Sequence, residues 1–329
     1  MSKYLILGSN SFAGSSFVNY CVNQKNDVVG INRSKESSNI FLPILSNNNN
    51  DKYTFHQLDL NNHINEILDV IDSFKPDFII DFAGQGMVAE SWENPHQWYQ
   101  TNIVSKSKIH RFLIGKTYLK KYIRISTPEV YGSNDDLIDE SFPMNPSTPY
   151  AISHMATDLS ILSLKKNFSF PASIGRFANF YGPHQQLYRI VPKTIISILN
   201  DDILDLHGGG KSVRAFIHSE DVSRGIMSII KDGNLGEAYH FSPNDFYTIK
   251  ELVMLICDEL GVDFEKHTRI TPDRTGKDFA YLMSSKKSHS ALKWRCEVTI
   301  KDGINQTISW VKENFEEINR LSHKYNHKE

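Results

Sequence analysis

Residues 3–25 read KYLILGSNSFAGSSFVNYCVNQK. The apolar run KYLILG ends in a glycine, and the apolar residues of SSFVNYCVNQK recur at helical spacing, which predicts a strand feeding a helix through a tight turn. In that turn Gly8 and Gly14 hold the outer positions of a GxxGxxG spacing, and Ser11 takes the middle one. Such a turn brings backbone close to a pyrophosphate while the free N–H groups of the helix N-terminus face the anion. Serine can still offer its N–H and add a hydroxyl. By themselves the glycines serve a turn equally well.

Outward from this unit, strand-like runs at 27–32, 53–60, 77–84, 122–127 and 171–177 alternate with helix-like stretches, among them 95–118 and 149–166. Repeated βα units imply a parallel sheet covered on both faces, an α/β fold of the Rossmann doubly wound kind. The polar stretch from Arg33 to Lys52, with its NNNN tract, reads as a surface loop. After Gly182 the alternation breaks, and the pieces RAFIH and EAYHFS and three helical segments read as a smaller mixed α/β lobe. The expected division is 1–178 for dinucleotide binding and 179–329 for substrate, with the chain crossing between the two in one compact body. The final SHKYNHKE is expected to fray.

With 329 residues, 40% of them hydrophobic and 22% charged, and a formal net charge of -2, the composition is that of a globular protein. It offers no electrostatic reason for nucleic acid or an acidic membrane surface as partner. Cys21, Cys257 and Cys296 lie far apart, and the histidines are scattered, so neither a metal site nor a disulfide framework is expected. No signal h-region and no run of about 18 to 20 apolar residues occurs. The cytoplasm, with reduced thiols, is the expected location.

The second strand ends GINRSKE, so Asn32, Arg33 and Ser34 stand where an acidic side chain would bind ribose hydroxyls. Arginine or serine there accommodates a 2′-phosphate, which favours NADP, with NAD as the alternative; Arg33 is otherwise a solvated loop residue. Asp59 suits an adenine amino contact or a turn. YIRISTPEVYG (122–132) runs off the fifth strand with Ser126, Thr127 and Glu129 at its C-terminal end, where open parallel sheets bind ligands. Tyr150 opens the next helix, and His154 lies one turn along on the same face.

On the motifs GSNSFAGS, LDL (58–60), DFAGQGMVAESWENP (81–95), STPEVYG (126–132), STPYAISHMATD (147–158), GRFANFYGP (175–183), GGGKSVRAFIHSEDV (208–222) and RTGKDFAYLMSSKK (274–287), the chain resembles the extended short-chain dehydrogenase/reductase family. Within it the likeness is to the nucleotide-sugar 4,6-dehydratases. The resemblance implies a cofactor site in which Asn10, Phe12, Leu60, Phe82, Ala83 and Gly84 join the residues above, with Tyr150 and His154 at the nicotinamide end. It implies that Thr127 and Tyr150 hold the sugar C4 hydroxyl and that Tyr150 takes its proton as hydride leaves. Glu129 then removes the C5 proton, water leaves C6, and hydride returns there.

On the substrate side the resemblance assigns Gln85 and Glu90 to the sugar, Asn179 to the nucleotide sugar, and Arg189 and Arg214 to the diphosphate and base. Guanidinium donors suit phosphate oxygens. From the residues alone, Asn179 serves equally as a turn former and Arg189 as a solvated charge. The resemblance also implies a homodimer through a four-helix bundle of helices 95–118 and 149–166, for which Trp98, Tyr99, Ile152, Met155 and Leu159 would supply the surface; from the residues alone they serve equally as internal core.

Three departures stand out. Pro128 replaces the aspartate that the thymidine-nucleotide dehydratases carry between threonine and glutamate, an aspartate that the GDP-mannose dehydratases also lack. Gly86 and Met87 replace a serine-histidine pair. His154 replaces a lysine whose charge lowers the tyrosine pKa; moving a tyrosine from about 10 to near 7 takes roughly 4 kcal/mol, and a neutral histidine supplies less field. A slow or alkaline-shifted enzyme, a tightly held cofactor, or drifted catalysis is the expected consequence. The rival readings are an epimerase, decarboxylase or C4 dehydrogenase of the same fold, and a catalytically silent dinucleotide-binding module.

Overall fold

The structure is a computed structural model describing residues 1–272 and 279–328, so residues 274–278 of the RTGKDFAYLMSSKK motif lie outside the described residues. In chain order come β1 (Lys3–Leu7), α1 (Phe12–Asn23), β2 (Asp27–Asn32), β3 (Tyr53–Gln57), α2 (Ile64–Phe74), β4 (Phe78–Asp81), α3 (Pro95–Tyr99), α4 (Lys106–Leu113), β5 (Lys121–Ser126), α5 (Pro149–Phe168) and β6 (Ala172–Phe177). The six strands and Ala238–Phe241 form one seven-stranded sheet in the order Ala238–Phe241, β6, β5, β4, β1, β2, β3, with every neighbouring pair parallel. This is a Rossmann-type doubly wound sheet. Its strand order turns back at β1, and the crevice beyond the carboxyl ends of β1 and β4 is where such sheets bind ligands.

Strands covered on both faces read as continuous apolar runs, and Tyr4 to Leu7 of β1 are all buried. Phe17 and Val18 of α1 pack on one face with Ile226 and Ile229 from the helix Ser219–Asp232. Ile67 and Ile71 of α2, Ile109 and Leu113 of α4 and Ile161 of α5 cover the other. A charge inside such a sheet needs a partner, and Lys121 finds three carbonyls at the end of Ser219–Asp232, those of Ile229, Ile230 and Gly233 at 2.6, 3.1 and 2.7 Å. These are groups that a helix C-terminus leaves open.

Three segments depart from the sequence reading. EAYHFS, read into the smaller lobe, supplies the edge strand Ala238–Phe241 of the main sheet. The stretch from Arg33 to Lys52 is anchored: Leu42 and Ile44 pack into the core beside the sheet, and Ile40 packs into the lobe with Tyr181 and Leu187. The long helix expected over 95–118 is interrupted by a π-helical turn, Gln100–Ser105, which buries Thr101, Asn102 and Ser105 and is followed by buried Lys106. Wide turns of this type occur where a helix must aim polar groups inward.

Gly8 has φ +80°, and a Cβ there would lie 2.7 Å from the Ala83 amide nitrogen. Gly8→Ala is expected to lower stability by about 1–3 kcal/mol in denaturant melts and to weaken retention of dinucleotide; a wild-type midpoint would show that the turn adapts.

Candidate active site

Of the residues assigned to a cofactor, Gly8, Ser11, Asn32, Arg33, Asp59, Leu60, Phe82, Ala83 and Gly84 line one pocket at the ends of β1, β2 and β4. Ser11 caps α1: its Oγ accepts from the Gly14 N–H at 3.1 Å and donates to the Gly8 carbonyl at 2.7 Å. Its own N–H also donates to that carbonyl, at 3.0 Å. Both groups of Ser11 expected to meet an anion are therefore engaged in the turn. The amides of Phe12 and Ala13, which have no acceptor among the described residues, remain for it. A glycine cradle and free helix-end amides fit a dinucleotide pyrophosphate.

Hydrogen bonds of the assigned residues brace this pocket. The Asn10 amide donates to the Ser34 and Lys35 carbonyls at 3.1 and 3.2 Å, and the Asn32 amide to that of Ser34 at 3.2 Å. Asp59 Oδ1 accepts from the Asn61 and Asn62 amides at 2.6 and 3.2 Å, a turn-forming role alongside its place in the pocket. Arg33 donates to Gln85 Oε1 at 3.4 Å and so links the cofactor side to the sugar side.

Thr148 caps α5, accepting from the Ala151 N–H at 3.1 Å, and Pro149 sits at the first helical position, where a missing N–H costs nothing. Tyr150 and His154 follow on one face with ring centroids 4.5 Å apart. At the end of β5, Thr127 caps the short turn Pro128–Tyr131, and its hydroxyl donates to Glu129 Oε2 at 2.5 Å. Thr127 also acts on the Tyr150 hydroxyl, so Tyr150, Thr127 and Glu129 form one group. Pro128 occupies the first position of that turn, a place proline favours.

Burial raises the Tyr150 hydroxyl above its ordinary value and the Glu129 carboxylate adds to the rise; the bond to Thr127 and the charges of Arg189 and Arg124 act against it. His154 is buried, and Arg124 Nη2 lies 2.9 Å from its Nδ1. Burial, then Arg124 and Lys106, hold the imidazole well below its usual range, so it is neutral, as the sequence reading expected.

Beneath the site lies a buried charged network that sequence reasoning missed. Asp81, the last residue of β4, accepts from Lys106 Nζ at 2.8 Å and the Tyr122 hydroxyl at 2.9 Å, with Arg124 Nη1 at 3.5 Å. Desolvation alone would raise the Asp81 carboxyl, but Lys106 and Arg124 outweigh it and hold it low. Burial pushes Lys106 down to about 8. Lys106 also donates to the Ala83 carbonyl in the pocket wall. Asp158, one turn beyond His154, accepts from Ser126 at 2.8 Å and Arg176 at 3.0 Å. Asn102, in the π turn, was also missed: its Oδ1 accepts from the Gln85 N–H at 2.8 Å and its amide donates to Ser153 at 2.9 Å.

On the substrate side, Arg189 is exposed just before the helix Ile190–Leu199, over the Tyr188 ring and close enough to act on Tyr150. Asn179 is exposed in the short strand Asn179–Tyr181. Arg214 is buried over Tyr281, with Nη1 donating to the Val213 and Phe279 carbonyls at 2.7 and 2.8 Å. One oxygen of Glu90 is buried without a hydrogen-bond partner among the described residues.

The C-terminal residues, expected to fray, cross this cleft instead. The His327 ring stacks on Trp98 at 5.3 Å, Tyr325 packs on Tyr188, Gln85 Nε2 donates to the Lys328 carbonyl at 2.7 Å, and Lys328 Nζ donates to Ser34 Oγ at 2.8 Å. Trp98 is thereby fully covered, and Met155 packs beside Val130, Tyr131, Ile138 and Met283. Of these two residues, for which a dimerising face and the internal core were both open, Trp98 lies in the core and Met155 is half-buried.

A dinucleotide cradle and a tyrosine-threonine-glutamate group meeting at the strand ends of a Rossmann-type sheet define an extended short-chain dehydrogenase/reductase of the epimerase/dehydratase type. The chain belongs to the GDP-mannose 4,6 dehydratase family, whose sequence model matches residues 5–307. The dTDP-D-glucose 4,6-dehydratase of Homo sapiens is 31% identical over 325 residues, 95% of this chain and 91% of that one. The solved dTDP-glucose 4,6-dehydratase of Streptomyces venezuelae, with NAD bound, superposes with a TM-score of 0.87 at 27% identity, over 95% of this chain and 98% of that one. The UDP-glucose 4-epimerase of Thermotoga maritima, 21% identical, shares the fold with a TM-score of 0.86 over 95% of this chain and 99% of that one. Among the described residues no helix is long and apolar enough to cross a membrane, and no cluster suits a metal ion.

Removing residues 322–329 deletes two hydrogen bonds made at Ser34 and Gln85, each worth about 1 kcal/mol net. Dinucleotide affinity is expected to rise about tenfold in a fluorescence titration; an unchanged or lower affinity would show that the tail does not compete with the cofactor.

Proposed function

We propose that this chain is an NAD-dependent nucleotide-sugar 4,6-dehydratase. The observation that carries the reading is the linked group Tyr150, Thr127 and Glu129, which sets a proton acceptor for a hydroxyl and a separate carboxylate at one strand end beside the dinucleotide pocket. The pocket at the ends of β1, β2 and β4 and the Phe12 and Ala13 amides would hold NAD, which would supply a hydride acceptor for the sugar C4 and a hydride donor for C6. Thr127 and Tyr150 hold the C4 hydroxyl, and Tyr150 takes its proton. The 4-ketone acidifies the C5 hydrogen, which Glu129 removes as general base. Pro128 has no proton to give, so the newly protonated Glu129 is the acid that converts the departing C6 hydroxyl to water.

Of the two dinucleotides expected from the sequence, NAD is preferred, because Streptomyces venezuelae's 4,6-dehydratase holds NAD and Arg33, the residue that favoured a 2′-phosphate, reaches Gln85. The substrate is a nucleoside diphosphate sugar, with Arg189 toward the diphosphate, Asn179 and Arg214 on the lobe side, and Gln85 and Glu90 beside the sugar. The product is a deoxysugar precursor for a surface polysaccharide, made in the cytoplasm.

A homodimer through the stretch 95–113 and α5 is supported by apolar side chains left open on these two segments: Val104, in the π turn, and Ile152 and Leu159, in α5, are 43, 37 and 47% exposed. The joint variant Ile152→Glu, Leu159→Glu is expected to sediment as a monomer; an unaltered dimer would place the interface elsewhere.

Incubated with GDP-, UDP-, CDP- and thymidine-linked sugars, the protein is expected to yield a product lighter by one water without added dinucleotide. Glu129→Gln should still oxidise C4 but lose dehydration by about 10²–10⁴-fold. If every sugar is returned unchanged in mass while dinucleotide stays bound, the dehydratase reading fails.

A further inference from the structure

The histidine beside the catalytic tyrosine has two ring nitrogens, and their surroundings differ. Nδ1 of His154 lies 2.9 Å from Arg124 Nη2. A guanidinium has donors only, so Nδ1 must present a lone pair, and a neutral ring then carries its proton on Nε2. Nε2 has no hydrogen-bond partner among the described residues, and His154 retains 8% exposure, next to the Tyr150 ring.

Arg124 is itself held from behind. It is 1% exposed, with Nη1 3.5 Å from Asp81 and Nε 3.9 Å from Asp158. Those carboxylates are shared with Lys106 and Arg176, so three cations face two anions and one net positive charge remains. The groups around the imidazole are therefore Arg124 from β5, Lys106 from α4, Asp81 from β4, Asp158 and Tyr150 from α5 and Arg176 from β6. Glu129 and Arg189 act on the Tyr150 side.

We propose that Arg124 is a positioning residue of this active site: by donating to Nδ1 it locks His154 as the neutral Nε2–H tautomer, which offers one hydrogen-bond donor to the cleft beside Tyr150, while its own fixed charge adds to that of Arg189 on the tyrosine. The assignment deepens the dehydratase reading and rests on it for the role of Tyr150. The tautomer itself is a property of the protein without substrate. Charge and donor, which one lysine would combine, are divided here between two residues. Introducing lysine at 154 alone would set an ammonium against the Arg124 guanidinium.

The first test is histidine nitrogen NMR of the full-length protein, with the signal assigned by its loss in His154→Gln. The expected spectrum is a neutral ring with its proton on Nε2 that does not titrate through about pH 6.5, where free histidine does. A ring that titrates there, or one protonated on Nδ1, overturns the proposal whether or not any sugar is turned over.

The second test is the pH profile of kcat/KM on an accepted nucleotide sugar. Activity rises as Tyr150 loses its proton, so removing a nearby cation raises that pKa and moves the acidic limb to higher pH. Arg124→Met is expected to move it by one to two units, a loss of about 10- to 100-fold at neutral pH. His154→Lys alone is expected to lose activity, and Arg124→Met with His154→Lys to recover most of it, a coupling that independent structural damage does not produce. An unmoved limb in folded Arg124→Met, or additive losses in the double variant, overturns the proposal. If Arg124→Met does not fold, the wild-type nitrogen spectrum decides. If the wild type acts on no nucleotide sugar, the dehydratase reading falls while the tautomer measurement still stands on its own.

Discussion

A carboxylate sealed from water at the end of β4 sets the terms for everything around it. Asp81 is fully buried, and an isolated charge in such a place would neutralise or destabilise the fold by many kcal/mol. It stays ionised because Lys106, Arg124 and Tyr122 converge on one of its oxygens. Lys106 comes from α4 and the other two from β5, so satisfying Asp81 fixes α4 and β5 against β4. Apolar residues in place of a buried ion pair are often neutral or stabilising by about 1–4 kcal/mol. Stability alone is therefore a poor reason for the network, whereas holding charge close to Tyr150 and Ala83 is a use that apolar packing cannot serve.

The network explains two local features that otherwise look accidental. Lys106 can reach Asp81 because the π turn Gln100–Ser105 widens the helix just before it, and the same turn carries Asn102 inward to Gln85. Gln85 in turn receives Arg33 and binds the tail carbonyl of Lys328. Cofactor side, sugar side and tail thus meet at one amide, and a change in any of them is felt by the other two through its limited set of donors and acceptors.

The parts of this fold legible in the sequence are those written in one window. KYLILG and its glycine turn, the alternation of strands and helices, and the spacing of Tyr150 and His154 are local patterns, and the structure has them in those places. The ends of β1, β2 and β4 collect most of the pocket residues because strand ends in such a sheet share one edge. Asp81, Lys106 and Arg124 were opaque for the opposite reason. Each is a charge in an apolar or amphipathic run, and only the pairing of β4 with β5 and the packing of α4 beneath them makes the three neighbours. EAYHFS failed similarly: its apolar alternation says strand, but which sheet it joins depends on contacts with β6, more than sixty residues earlier in the chain.

The replacement of lysine by histidine is best understood through distance and permanence of charge. At an effective dielectric constant of about 20, a unit charge acts with roughly 4 kcal/mol at 4 Å and roughly 2 kcal/mol at 7 Å. A guanidinium placed one side chain further back therefore acts on the tyrosine more weakly than an adjacent ammonium would, and here Arg124 does so after Arg189. It also cannot lose its proton in the working pH range, whereas a buried lysine readily does; Lys106, pushed down to about 8 in the same network, is an instance. The arrangement gives up some field strength at Tyr150 for a charge that does not vary with pH, and leaves His154 free of charge to hydrogen-bond in the cleft.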